Sequence, residues 1–474
     1  MSSLTWKNRS VSRRQFMAGI GVVACVHAIP AQAESGTASL NLHIERGTMD
    51  LGRHSVESTF YSVRPGVLKL PANTAISVRI DNRTSKSEYV HWHGFQVPAR
   101  YDGTCEEQSE AVEGHGTLQY TLPPQNPGLY YVHSHAMTMH SLQQGPYSGQ
   151  FTPVLVGDGG MSDIARDREI VLASHEWDAY YSDDEGVEKS VEQTHHLRID
   201  ADDEEGNESG WEIRYRHATL GGKPLDEETP VCVAAGERIL FHIVNASATE
   251  PLVLHLPGHS FHIHALDGDV VPVVADIEVL YLGPGERASA IVVMNHPGTW
   301  ILGSVDDEAR AKGMGIVIAY QGHRRDPVWS APAGHAGPLD YTRFSYQSSD
   351  QKQPDAEFLL ERKPRDRHGF EQWAMTMLKE SMPELHRPYR IALHNASDED
   401  HPMHLHRNRF ELKTYCGRGV SGLWKDTVVV PALQSVEIEY TPYDTEPSFF
   451  HCHNQMHMDC GMATILQATN GRKN

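Results

Sequence analysis

The chain is short of positive charge, of cysteine and of long apolar runs. Its 474 residues carry 41 Lys and Arg against 62 Asp and Glu, a formal net charge of −21. Nucleic-acid binding needs a basic footprint, so this balance argues against it. It favours solubility and, weakly, cationic partners. Beyond the N-terminal segment no run is apolar enough to span a bilayer, which argues against stable membrane insertion. Few stretches hold a helical period for long, which turns the reading away from helical architectures. Only six cysteines occur, and five remain if the N-terminal segment is removed: Cys105, Cys232, Cys416, Cys452 and Cys460. An oxidising compartment permits disulfides, but an odd count leaves at least one thiol with another task.

What is present begins with an address. "SVSRRQFMAG" holds the twin arginines Arg13 and Arg14, a short apolar run follows, and "AQA" closes at 31–33. This reads as a Tat signal peptide over 1–33, and so as a periplasmic or secreted protein. Loss of Lys7, Arg9, Arg13 and Arg14 would take the net charge to about −25. The remainder is written in strands. "ISVRIDNRT", "ILFHIVNAS" and "YRIALHNAS" each run a β-rich segment into an asparagine turn, at Asn82, Asn245 and Asn395. Three related β-sandwich domains are expected over 37–158, 162–320 and 355–474, with a Pro/Gly-rich linker over 321–354. An acidic insertion over 183–208 interrupts the second domain.

Counting from the asparagines exposes a pattern. His91 and His93 lie nine and eleven residues after Asn82, and His404 and His406 lie at the same offsets from Asn395. After Asn245 those offsets fall on Leu254 and Leu256, so the second domain reads as a spacer that has lost a metal site. Two further pairs, His133/His135 and His451/His453, complete matched sets in the first and third repeats. On a strand, residues i and i+2 share a face, so each pair can present two imidazoles to one site. Eight imidazoles exceed what one metal needs and suit a cluster of about three ions.

The stretch "HCHNQMHMDCGM" at 451–462 adds a second site. Alternation turns Cys452 away from the face of His451 and His453, towards a separate metal. His457 can return to that metal, Met462 can supply a weak axial thioether, and His401 in "HPMHLH" a second imidazole. Two His, one Cys and a distant Met are the ligands of a blue-copper electron-transfer site.

With "HWHG", "HSH", "HPMHLH" and "HCHNQMHMDCGM" all present, and with "LGPGERASAIVV" and "WKDTVVV" as supporting phrases, nearly the whole mature chain resembles the multicopper oxidase family. The resemblance implies an all-β fold of three cupredoxin-like Greek-key sandwiches. It implies four copper ions: a type 1 copper on His401, Cys452, His457 and Met462, a type 2 copper on His91 and His404, and two type 3 coppers sharing His93, His133, His135, His406, His451 and His453. It also implies electron entry at His457, transfer through Cys452, and four-electron reduction of O₂ to water. Asp102, in "PARYDG", resembles the family's acid near the type 2 copper. Met458, followed by Asp459, stands where many members have an acid, a departure that weakens the case for a proton-supply role there.

For the reducing substrate the sequence reading is laccase-like oxidation of phenols or aryl amines. The alternative is oxidation of Cu(I) or Fe(II) in copper tolerance, favoured if the acidic insertion lies near His457. A non-catalytic copper-binding or structural cupredoxin protein is the remaining reading, and it predicts gaps in the motifs that this chain does not have. Met137, Met139, the "HSFHIH" histidines (His259, His262, His264) and the pair His195/His196 read as ordinary packing or surface residues before accessory metal sites. Replacing Cys452 by Ser is expected to abolish blue colour and oxidase activity with the fold kept. His133→Ala is expected to spare the blue colour and stop O₂ uptake; visible spectra and oxygen-electrode traces check both.

Overall fold

The computed structural model describes residues 29–30, 32–34, 37–62, 66–136, 142–183, 188–189, 211–227, 229–323, 325–334, 336–366 and 369–471. The repeats at Asn82, Asn245 and Asn395 become three β-sandwiches built to one plan. In the first, Thr37–Asp50 runs parallel to Ile76–Asn82, which pairs antiparallel with Thr117–Leu122. In the second, Arg168–Asp183, Arg238–Asn245 and Arg287–Val293 repeat that order. In the third, Ala356–Lys363, Tyr389–Asn395 and Ser435–Tyr440 do so. Strands such as "SVEIEY" (435–440) alternate half-buried and buried residues, as period-2 patterning requires.

Each repeated asparagine holds its corner in the same way. Asn82 Nδ2 donates to the carbonyls of Lys86 and Val112, Asn245 Nδ2 to those of Glu250 and Leu282, and Asn395 Nδ2 to those of Glu399 and Val430. Each side-chain oxygen accepts the backbone N–H two residues on, at Thr84, Ser247 and Ser397. The asparagine therefore turns the chain out of one sheet and ties the turn to the other.

The second sheet of the first and third sandwiches carries the histidine pairs. Val90–His93 lies antiparallel to Gly128–Ser134, with His91 opposite His133. His401–Leu405 lies antiparallel to Pro447–Cys452, with His404 opposite His451 and Met403 opposite Cys452. These strands are buried on both faces. Trp92 and Val132 face the first domain's core, and Met403, Cys452 and Met462 join a core that runs through the second and third domains. The alternate residues are the histidines.

Two segments extend the expected outlines. Ile29–Pro30 pairs parallel with Leu68–Lys69, and Gln32–Glu34 pairs with Thr37–Ser39, so the end of the expected signal segment adds edge strands. Within the expected linker, Tyr346–Gln347 pairs with Val420–Ser421 at the edge of the third domain's larger sheet. Among the described residues no helix is long and apolar enough to cross a membrane.

Replacing Asn245 by Ala removes the partner of two carbonyls and one N–H at the corner of the ligand-free domain. The expected cost is roughly 2–4 kcal/mol, from buried polar groups left unpaired. Urea unfolding followed by tryptophan fluorescence should show a lower midpoint; an unchanged midpoint would place the load elsewhere.

Candidate metal centre

Eight imidazoles from the first and third sandwiches converge between them. Ligand nitrogens of His93, His133 and His453 lie within 4.8 Å of one another, as do those of His135, His406 and His451. His91, His93 and His404 form a third such group. The rings of His93 and His404 stack at 3.7 Å, and those of His91 and His406 at 3.9 Å. All eight sequence-expected cluster histidines are therefore in one place, and each triad draws on both domains.

Hydrogen bonds fix which nitrogen is protonated in six of these eight rings. A carbonyl or carboxylate oxygen can only accept, so the facing imidazole nitrogen carries the proton. His91 Nδ1 donates to the Asp102 carbonyl (2.7 Å), His404 Nδ1 to the Asp426 carbonyl (2.9 Å), His133 Nδ1 to the Ser134 carbonyl (2.8 Å) and His451 Nδ1 to the Cys452 carbonyl (2.9 Å). His406 Nδ1 donates to Asp102 Oδ2 (2.7 Å) and His93 Nε2 to Asp426 Oδ1 (3.1 Å). The opposite nitrogens of His91, His93, His133 and His404 are buried without a hydrogen-bond partner. His406 Nε2 and His451 Nε2, both freed by these bonds, face each other at 3.0 Å. Lone pairs gathered in this way repel one another and leave buried polar atoms unsatisfied, and a soft or borderline cation relieves both. His453 differs, because its Nε2 meets the Tyr131 hydroxyl at 2.9 Å.

The second group sits one residue away. Cys452 Sγ lies 3.8 Å from His401 Nδ1 and 3.6 Å from His457 Nδ1, and the two Nδ1 atoms are 3.0 Å apart. Ser397 Oγ donates to Asn395 Oδ1 and so accepts from His401 Nε2 at 2.7 Å; Glu399 Oε2 accepts from His457 Nε2 at 3.1 Å. Both Nδ1 lone pairs thus point at the thiol. Met462 is fully buried beside this group, its N–H on the His457 carbonyl and its carbonyl on the Cys452 N–H. The donor set of one thiol, two imidazoles and one neighbouring thioether fits copper.

Electrostatics agree with a site made for metal. Burial, with repulsion from neighbouring imidazoles, holds His93, His133, His401, His404, His406 and His451 well below the usual histidine range. Burial takes His135 to about 4 and His453 to about 3. Burial also raises the Cys452 thiol. Two carboxyls lie against the cluster. Asp102 is fully buried, and one of its oxygens has no partner. Glu107, which sequence reading passed over, is buried 3.8 Å from His406 Nδ1, and its Oε1 accepts the Phe449 N–H at 2.6 Å. Burial, then the neighbouring Asp102, raises Glu107 well above the usual carboxylate range. Its only sequence signal was its place in "CEE", directly after "YDGT".

Three of the second domain's histidines have ordinary partners. His255 meets the Glu278 carbonyl, His259 the Tyr320 hydroxyl and His262 the Asp276 carboxylate. Cys105, Cys232, Cys416, Cys452 and Cys460 are all free thiols, so none of the disulfides that an oxidising compartment permits is formed among them. Met137, Met139, His195 and His196 lie outside the described residues, as does most of the insertion over 183–208.

A thiol–imidazole site joined by adjacent main chain to a shared imidazole pocket is the architecture of a copper oxidoreductase. Comparison with known proteins narrows this. Three sequence models described as multicopper oxidase match residues 63–159, 178–322 and 346–472. The chain belongs to the multicopper oxidase family. It is 25% identical to the multicopper oxidase MmcO of Mycobacterium tuberculosis, over 94% of this chain and 90% of that protein. In fold it is similar to Fet3p, a multicopper oxidase that functions in iron import, with a TM-score of 0.73 at 14% identity, covering 92% and 91% of the two chains. It is also similar to the laccase from Botrytis aclada, with a TM-score of 0.68 at 14% identity, covering 93% and 89%.

The depressed imidazole values make a stability statement about copper-free protein. Unfolded histidines take up protons near pH 6.5, and the buried ones do so only at much lower pH. Stability is therefore whole above pH 6.5 and is lost as pH falls below it, by about 1.4 kcal/mol per imidazole per pH unit. The melting temperature of metal-free protein should drop steeply between pH 7 and pH 5. A flat profile would mean that these rings are not buried neutral.

Proposed function

We propose that this chain oxidises a reduced metal cation, Cu(I) or Fe(II), with O₂ as electron acceptor. Copper held by His401, Cys452, His457 and Met462, with three further ions held by the eight cluster histidines, would supply the one-electron steps and the four-electron reduction of O₂ to water. His91 and His404 would be the type 2 ligands, and the triads His93/His133/His453 and His135/His406/His451 the type 3 ligands. Cys452 is covalently continuous with His451 and His453, so one peptide unit on either side links the two sites. Asp102 and Glu107 would be the carboxyls beside His406 that relay protons for water formation. The reading includes three domains over 37–158, 162–320 and 355–474, and export directed by the twin-arginine segment to the periplasm or the medium.

The observation that carries the substrate class is the carboxylate on His457. Glu399 Oε2 takes the outward Nε2–H of that ring, at the wall of a cavity of about 550 Å³. Glu212, Glu250, Glu371 and Asp400 also line the cavity. Its two arginines, Arg362 and Arg365, are engaged by acids: Arg362 by Asp398, Glu399 and Glu371, and Arg365 by Glu371. Glu212 is itself engaged by Arg214, but five lining carboxyls against two lining arginines leave an acidic wall, which concentrates cations beside the imidazole. The sequence reading made the location of the acidic insertion decisive. Most of that insertion lies outside the described residues; of the strand that follows it, Trp211–Leu220, Glu212 and Ile213 line this cavity. Phenols remain the second reading on one observation: the Trp373 ring lies 4.1 Å from that of His457 and offers an aromatic face. Fet3p and the Botrytis laccase are comparably similar in fold, so fold does not choose between them.

Oxygen uptake by purified, copper-loaded protein should be measured with Cu(I), Fe(II) and a phenol in separate runs, for the wild type and Glu399→Gln. The expected result is faster uptake with a cation, and a loss of roughly 10–100-fold in kcat/KM for that cation in the variant, since a charged contact is worth about 1.5–3 kcal/mol. Phenol oxidation should be nearly unchanged. Loss confined to the phenol would reverse the assignment, and no uptake with any donor would sink the oxidase reading.

A further inference from the structure

Two phrases without a histidine, cysteine or methionine, "GPGER" at 283–287 and "WKDT" at 424–427, both end at the imidazole pocket. Asp426 touches the pocket twice. Its Oδ1 accepts from His93 Nε2 at 3.1 Å and its main-chain carbonyl from His404 Nδ1 at 2.9 Å. These are the two stacked rings, one from the first domain and one from the third. Asp426 is itself gripped by Arg287 of the second domain, Nη1 to Oδ1 at 2.6 Å and Nη2 to Oδ2 at 2.7 Å. Arg287 is fully buried. Its remaining donors go to the carbonyls of Leu129 (3.2 Å), Gly285 (3.3 Å) and Asp267 (2.9 Å). Leu129 lies on the strand that carries His133.

The surroundings leave this pair no freedom. Lys425 Nζ lies 2.9 Å from Asp267 Oδ2 and 3.0 Å from Glu286 Oε1, and Tyr341 donates to Glu286. Asp267 Oδ1 accepts the Arg287 N–H, and its Oδ2 the Thr427 N–H. Two glycines admit the contact. At Gly94, the last residue of "HWHG", φ is +85° and a Cβ would lie 2.7 Å from Asp426 Oδ2 and 2.8 Å from Arg287 Nη2. At Gly285, φ is +87° and a Cβ would lie 2.8 Å from the His453 ring.

We propose that Arg287 is a positioning residue of the imidazole pocket, and that the second domain, though it holds no ligand, sets the orientation of His93 and His404 through the carboxylate and carbonyl of Asp426. The proposal rests on reading that pocket as a copper cluster. A planar, bidentate guanidinium fixes a carboxylate in two directions, which a lysine ammonium cannot do. Groups that orient metal-ligating imidazoles typically change metal affinity 10–100-fold when altered.

The test uses full-length protein with Arg287→Lys and, because loss of a buried arginine can prevent folding, Asp426→Asn as a second variant of unchanged shape. Copper per chain, blue absorption, the type 2 signal in electron paramagnetic resonance and the melting temperature of metal-free protein are recorded for each. The expected result is cluster copper lost to a competing chelator at roughly 10–100-fold lower chelator concentration, and a type 2 signal lost or shifted. Blue absorption should be kept, which a general loss of structure would not give, and the metal-free melting temperature, lowered by the loss of a buried charge contact, shows whether each variant is folded. Rings oriented as in the wild type, read as an unchanged type 2 signal and full copper retention in a folded variant, would overturn the proposal. Failure of both variants to fold would also overturn it, by placing the pair in stability alone. If the wild type itself takes up no copper in the imidazole pocket, the cluster reading fails first, and that outcome is distinguishable from failure of the Arg287 proposal.

Discussion

The guanidinium of Arg287 has five N–H donors, and all five meet acceptors drawn from three domains. An interface pocket lined by imidazoles from two separate domains has no intrinsic register, because each domain could slide or tilt against the other. Arg287 and Asp426 remove that freedom at one point, out of contact with water. Removing one partner of such a buried pair costs about 3–5 kcal/mol, since the other is left charged and unsatisfied. The pair thereby couples the placement of domains to the placement of His93 and His404.

Strand alternation then divides the chemistry. In "HCH" the outer histidines enter the interface pocket while Cys452 enters the hydrophobic core shared by the second and third domains. A many-ligand imidazole pocket and a single-thiol site are thus kept on opposite faces of one strand, one residue apart. Burial serves both. It keeps imidazoles neutral and ready to donate lone pairs, and it raises the thiol so that a cation is needed to draw off its proton. Where buried His457 lines the cavity, the polarity reverses, and Glu399 with its neighbours replaces apolar cover by carboxylates.

Much of the site was legible because its ligands come in local patterns. His-x-His on a strand, a cysteine between two histidines and an asparagine corner at fixed offsets are features of fewer than a dozen residues, and each was visible in a single line of sequence. Glu107, Glu399, Arg287 and Asp426 were not legible as parts of the site. Their partners lie far along the chain: Asp426 is 139 residues from Arg287, and Glu399 is 58 from His457. No local periodicity records such a contact. "GER" and "KDT" were visible as phrases, but nothing in them says which pocket they face.

Sequence by itself determined the all-β class, the threefold repeat and the identity of the donor atoms, because period-2 patterning, turn chemistry and ligand type are properties of neighbouring residues. Tertiary structure alone decided how eight imidazoles divide into triads, which ring nitrogen stays free, which acids stand beside His406 and His457, and that the ligand-free middle domain reaches the centre. Those depend on the docking of three sandwiches against one another, and docking is set by buried charge and shape between residues that are remote in the chain.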